Sequence, residues 1–148
     1  MKESIQKLEQ LLSSASDYFR NTAEETLTYK SAEASWSKKE ILGHLIDSGI
    51  NNLQRFTEIQ FSDIPFPIHR YGQNELVKVN RYNSAATDEI LSCWLALNER
   101  IKAVMEVQTA ETLAYEIILY DGKERSDLRY LMTDYVEHMG HHLKKIFE

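Results

Sequence analysis

Asp134-Tyr-Val-Glu-His138-Met-Gly-His141-His142-Leu-Lys-Lys-Ile146 carries three of the five histidines in this chain. Leu128, Leu131, Tyr135, His138, His142 and Ile146 recur at intervals of three and four, which traces one stripe of an α-helix. His138 and His142 therefore stand one turn apart, with Cβ atoms about 6 Å from each other. Two imidazoles so spaced can chelate one divalent metal ion, as the histidine pair of the metalloprotease helix does. The glutamate of that motif is missing, because Met139, Gly140 and His141 fill the interval. The stretch suggests a metal without suggesting a protease. Both imidazoles share the apolar stripe, and a buried imidazole needs a hydrogen-bond partner or a metal to offset lost hydration. Two core histidines bonded to neighbouring side chains fit the pattern equally well, and this stretch leaves both readings open. His141, about 60° off the stripe, is expected at solvent or at the rim of a site.

Three further helices are legible. Ile5, Leu8, Leu11, Leu12, Ala15 and Phe19 predict a helix over residues 4–19. The polar, acidic residues 20–35 read as a connection with a short helical turn. Trp36-Ser37-Lys38-Lys39-Glu40-Ile41 then predicts a helix start, with Ser37 and Glu40 as a capping box and Trp36 and Ile41 as a hydrophobic staple. The helix continues to about Gln60 on an arc of Ile41, Leu42, Leu45, Ile46, Gly49, Leu53 and Phe56, with His44 at the edge. Ser48, Asn51 and Arg55 share the strip of His44 and read from their spacing as a solvated flank. Residues 87–105 predict another helix on Ile90, Trp94, Leu97, Ile101 and Val104, with Thr87 as its cap.

Between these helices lie two irregular segments. Residues 62–87 contain both prolines and begin without a continuous helix, although 74–79 suit a short one. A long connection of this kind often carries a binding loop, and His69, Tyr71 and Gln73 are its candidates for a site mouth. Tyr115 to Tyr120 reads as a strand, Asp121-Gly122 as a turn, and Ser126 or Asp127 as the cap of the last helix.

Composition narrows the classes. With 148 residues, 43% hydrophobic and 27% charged, the chain suits one globular domain. No apolar run approaches the roughly 20 residues that span a bilayer, and no secretion signal is visible. The expectation is a cytoplasmic protein. One cysteine, Cys93, excludes an internal disulfide and reads as a small packing residue. Net charge is −6, and no basic face suits nucleic acid. Lys38-Lys39 and Lys144-Lys145 read as exposed helix positions.

The segment Trp36-Ser37-Lys38-Lys39-Glu40-Ile41-Leu42-Gly43-His44-Leu45-Ile46-Asp47-Ser48, followed by Asn52-Leu53-Gln54-Arg55-Phe56 and the His138-x3-His142 helix, resembles the DinB-like superfamily, also called the DinB/YfiT-like metalloproteins. The resemblance runs over nearly the whole chain. It implies an all-α four-helix bundle, mostly antiparallel with long connections, spanning residues 1–148 as one domain. It also implies that His44, His138 and His142 bind one divalent metal; imidazole ligands suit zinc, nickel, copper or iron, of which zinc or nickel is the expectation, and the sequence does not choose the ion. Three neutral imidazoles leave a coordination position open, which is the pattern of a catalytic zinc site. Asp47 and Asp134, one turn from His44 and His138, are candidates to accept from the free imidazole N–H, or else helix charges facing solvent.

Two functions follow from the resemblance. In the first, the protein is a metal-dependent enzyme, a thiol S-transferase or hydrolase, that acts on a small molecule, with a low-molecular-weight thiol as partner in the transferase case. Asn51, Arg55 and Tyr71 are then the substrate contacts. In the second, it is a non-catalytic metal-binding bundle of stress-response or structural type. A bundle without metal is the third reading. A homodimer is common in such families, and Tyr18 and Phe147 are exposed aromatics that would serve one.

Overall fold

A computed structural model describes residues 1–120 and 122–148. The elements in chain order are α1 (Lys2–Asn21), α2 (Glu24–Thr28), α3 (Lys38–Glu58), β1 (Phe66–Pro67), α4 (Gln73–Asn80), α5 (Thr87–Glu106), β2 (Glu116–Ile118), β3 (Arg125–Asp127) and α6 (Leu128–Phe147). The four long helices form the bundle. α1 packs on α5 and α6, and α3 packs on the same two, so the order around the bundle is α1, α5, α3, α6. Three short strands add a small sheet, with β2 parallel to β1 and antiparallel to β3.

Local chemistry sets the helix ends. Ser37 accepts from the Glu40 backbone N–H at 3.1 Å, and Glu40 accepts from the Ser37 N–H at 2.8 Å, completing the capping box at the start of α3. Asp127 caps α6 by accepting from the Tyr130 N–H at 2.8 Å, while Ser126 belongs to β3. Thr87 does not cap α5. It occupies the first turn after Ala86, and its hydroxyl donates to Glu24 at 2.6 Å. Asp121 of the expected turn lies outside the described residues; Gly122 beside it has φ +73°.

The core is drawn from all four long helices: Leu8, Ala15 and Phe19 of α1, Leu42, Leu45 and Phe56 of α3, Trp94 and Ile101 of α5, and Leu131, Val136, Met139 and Ile146 of α6. Each of the leucine, isoleucine, valine, methionine and phenylalanine side chains contributes about 1.5–3 kcal/mol by leaving water. Truncating the fully buried Trp94 to alanine would cost about 3–5 kcal/mol. Asn98 crosses this core, accepting from the Tyr135 hydroxyl at 2.7 Å and donating to the Trp94 carbonyl at 2.9 Å. Tyr18 and Phe147 lie ring to ring, 5.2 Å apart, within the same chain.

Two expectations fail on the flanks of α3 and α5. Lys39 is not an exposed helix position: it is 1% exposed, and its ammonium donates to Glu24 at 2.5 Å and to the Ala85 carbonyl at 2.6 Å. The short helix α2 brings Glu24 to it, and a buried ammonium is tolerated only with such partners. Cys93 is exposed, because one position off the stripe at about 100° per residue already turns it outward.

Candidate metal centre

The capping box fixes the first turn of α3, and the next turn carries His44 into the seam between α3 and α6. His44 is fully buried and lies under the Trp36 indole, with ring centroids 5.0 Å apart. His138 and His142, half-buried on α6, meet it from the other side of the seam. The Nε2 atoms of His44 and His138 are 3.5 Å apart, and those of His138 and His142 are 3.1 Å apart. One nitrogen from each ring lies within 4.8 Å of the other two. A tetrahedral ion with Zn–N bonds of about 2.0–2.1 Å sets its ligand nitrogens about 3.3–3.4 Å apart. The two separations bracket that edge length.

The donor chemistry fits as well. The Nδ1 atoms of His44 and His142 are buried without a hydrogen-bond partner among the described residues, so none of these neighbours dictates which ring nitrogen carries the proton. With protons at Nδ1, the Nε2 lone pairs meet in one small space, and a cation there satisfies them together. Burial pushes the His44 imidazole down to about 4 and His142 down to about 3, and repulsion among the clustered imidazoles and from the Lys145 ammonium pushes the same way. His138 is also lowered by burial, with the Asp134 carboxylate working against it. All three rings are thus neutral at pH 7, the state a metal needs. His141 is exposed and stands beside His142, outside the convergent group.

The two aspartates differ from each other. Asp47 is 3% exposed, so it is not a solvent-facing charge. Its Oδ1 accepts from the Tyr82 hydroxyl at 2.6 Å and from Asn80 at 3.0 Å, and Oδ2 has no partner among the described residues. Burial raises its carboxyl pKa, and the two hydrogen bonds oppose that rise. Tyr82 reaches Asp47 only because residue 43 is glycine: a Cβ there would stand 2.0 Å from the tyrosine Cδ2. Asp134 is exposed, on the turn of α6 next to His138.

Beside His138 opens a cavity of about 360 Å³, lined on the α3 side by Ser48, Asn52 and Arg55, and on the loop side by Arg70, Tyr71 and Gln73. Ser48 and Arg55 are 1% and 8% exposed, so the strip following His44 is not a solvated flank. The loop before α4 covers it, and the Arg55 guanidinium donates to the His69 carbonyl. Tyr71 and Gln73 line the mouth, whereas His69 is exposed and turned to a neighbouring groove that Asn51 shares. Burial raises the Tyr71 phenol pKa, so it stays protonated at neutral pH. Sequence reasoning missed Asn52, Arg70 and Tyr120. Asn52 had a readable signal, since it follows Ser48 by one turn; Arg70 and Tyr120 arrive through the loop and the sheet, which no periodicity foretells.

Comparisons with known proteins agree with this architecture. No curated protein is significantly similar in sequence. In structure, the chain resembles YfiT from Bacillus subtilis, described as a probable metal-dependent hydrolase with an unusual four-helix bundle topology. The TM-score is 0.86 at 22% identity, over 99% of this chain and 83% of that one. A DinB-like protein of Bacillus subtilis, YjoA, matches with a TM-score of 0.66 at 17% identity, over 98% of this chain and 87% of that one. The mycothiol-dependent maleylpyruvate isomerase matches with a TM-score of 0.69 at 12% identity; 93% of this chain spans 58% of it. At these identities the likeness is one of fold. The sequence itself matches the DinB superfamily over residues 7–146, and the chain belongs to that family.

Proposed function

We propose that this chain is a divalent-metal-dependent enzyme of hydrolase or thiol S-transferase type, acting on a small molecule at His44, His138 and His142. The observation that carries the reading is the meeting of three neutral imidazoles at 3.1 and 3.5 Å beside an open polar cavity. A zinc or nickel ion held by three uncharged ligands would keep an open position and supply Lewis acidity to a water or thiol there. The chain's own residues do the rest. Trp36 shields His44 from solvent on one side. Tyr71, protonated at neutral pH, offers a hydroxyl donor in the cavity. Arg55 supplies fixed positive charge for orienting a polar substrate. The descriptions of YfiT as a probable metal-dependent hydrolase and of the isomerase as mycothiol-dependent support the two reaction types. In this reading residues 1–148 work as one domain.

The test is turnover by the zinc- and nickel-reconstituted protein in two assays: hydrolysis of 4-nitrophenyl acetate, and conjugation of a small thiol to 1-chloro-2,4-dinitrobenzene. The reading expects metal-dependent turnover in one of them, abolished by chelator and by His44→Ala. Stoichiometric metal with no turnover in either would leave an ion that only fastens α3 to α6.

A further inference from the structure

The cavity beside His138 holds two guanidinium groups that form no ion pair among the described residues. Arg55 is 8% exposed, and burying a charge without a counter-ion is costly. The fold offsets part of that cost. Arg55 donates to Asn52 Oδ1 at 3.4 Å and to the His69 carbonyl, and its guanidinium lies between the Tyr71 and Tyr120 rings, 5.6 and 5.8 Å from their centroids. Arg70 lies 5.1 Å from the centroid of the same Tyr120 ring, so two cations share one aromatic ring. A guanidinium has five N–H donors, and Arg55 spends only two on the bonds just named. Among the described residues the opposing charge lining the cavity is Asp134, exposed and on the α6 side. Two cations and one carboxylate leave a net positive pocket that wants one more negative charge.

We propose that Arg55 and Arg70 form a carboxylate subsite, so that the substrate is a small carboxylic acid held at its anionic end by the two guanidiniums and presented at its other end to the histidine cluster. The inference rests on the proposed function for the reacting end alone. The fork of a guanidinium pairs with two oxygens of a carboxylate in parallel hydrogen bonds, and it pairs with a phosphate in the same way. Charge favours the carboxylate: its single negative charge balances the one net positive charge that Arg55, Arg70 and Asp134 leave, whereas a doubly charged phosphate would overshoot it. The Tyr71 hydroxyl, in the same cavity, is a further donor to the carboxylate.

The experiment is a titration of the ¹⁵N-labelled protein as isolated with sodium acetate at constant ionic strength, following the arginine Nε–H signals by NMR, with metal content measured on the same sample. The expected result is saturable shifts at Arg55 and Arg70 that sodium chloride does not produce. Binding should weaken about tenfold in Arg70→Gln, which removes an exposed charge without touching the core, and similarly in Arg55→Lys, which keeps the charge but loses the fork. Shifts matched by chloride, wild-type binding in both variants, or tighter binding of inorganic phosphate than of acetate would each overturn the proposal. A metal-free sample that still binds acetate at these arginines removes the metal reading and leaves the subsite; a metal-loaded sample whose arginines ignore acetate does the reverse.

Discussion

Replacing Gly43 with alanine adds one methyl group where the structure has no room for it. The new Cβ would stand 2.0 Å from Tyr82 Cδ2 and 2.1 Å from Cγ, whereas carbon atoms in contact sit about 3.5–4.0 Å apart. The ring must therefore retreat by about 1.5 Å or more, and the 2.6 Å bond from its hydroxyl to Asp47 breaks with it. Overpacking costs about 1–3 kcal/mol. Loss of a hydrogen bond to a charged group adds about 1.5–3 kcal/mol. Alanine returns about 1 kcal/mol over glycine inside a helix. The net expectation is a loss of about 1.5–5 kcal/mol, read by urea unfolding with an unchanged slope. The same substitution in a Tyr82→Ala background meets no ring and should instead stabilise by up to about 1 kcal/mol. This change of sign isolates the close approach of α3 to Tyr82 from any general intolerance at position 43. A Gly43→Ala protein as stable as wild type, or equal destabilisation in both backgrounds, would refute the reasoning.

Other outcomes follow from the same geometry. In metal-free protein, the imidazoles of His44 and His142 are lowered in the folded state, so below about pH 6.5 the unfolded chain binds protons that the folded chain refuses. Stability should fall as pH drops from about 6.5 toward 4, by up to about 1.4 kcal/mol per pH unit for each ring, and be flat with respect to these groups above that window. The His44→Ala/His142→Ala protein should lose that slope between pH 6.5 and 5; an unchanged slope would show that other groups cause it. Added zinc at about 100 times its dissociation constant should raise unfolding free energy by about 2.7 kcal/mol in wild type and leave the triple histidine-to-alanine variant unmoved, as checked by thermal unfolding. Glu24→Gln, which leaves the buried Lys39 ammonium without its carboxylate, should cost about 3 kcal/mol despite the exposure of Glu24 itself. Cys93→Ser, on the surface, should change stability by less than about 0.5 kcal/mol.

Helix existence and helix starts were legible because they depend on neighbours in sequence. Ser37 with Glu40, and Asp127 with the N–H three residues on, are local bargains that the structure keeps. The pairing of His138 with His142 was legible for the same reason. Their meeting with His44, 94 residues away from His138, was not a matter of period; it came from likeness to a family, and the Nε2 distances are consistent with it. What misled was polarity read without tertiary cover. Ser48 and Arg55 look like a wet flank until the loop before α4 folds across them, and Lys39 looks exposed until α2 delivers Glu24. Arg70 and Tyr120 join the cavity from a loop and from the residues after β2, where neither a helical nor a strand period selects a side chain.

We propose that His44, His138 and His142 together hold one divalent ion. This is tested most directly by titrating zinc into chelator-stripped protein against a colorimetric zinc indicator, alongside His44→Ala, chosen because His44 joins the other two only through the fold. The expected result is one zinc per wild-type chain, bound tightly enough to strip the indicator, and weakening by at least about tenfold when His44 is removed. Zinc bound equally by wild type and by His44→Ala, or by neither, would contradict it.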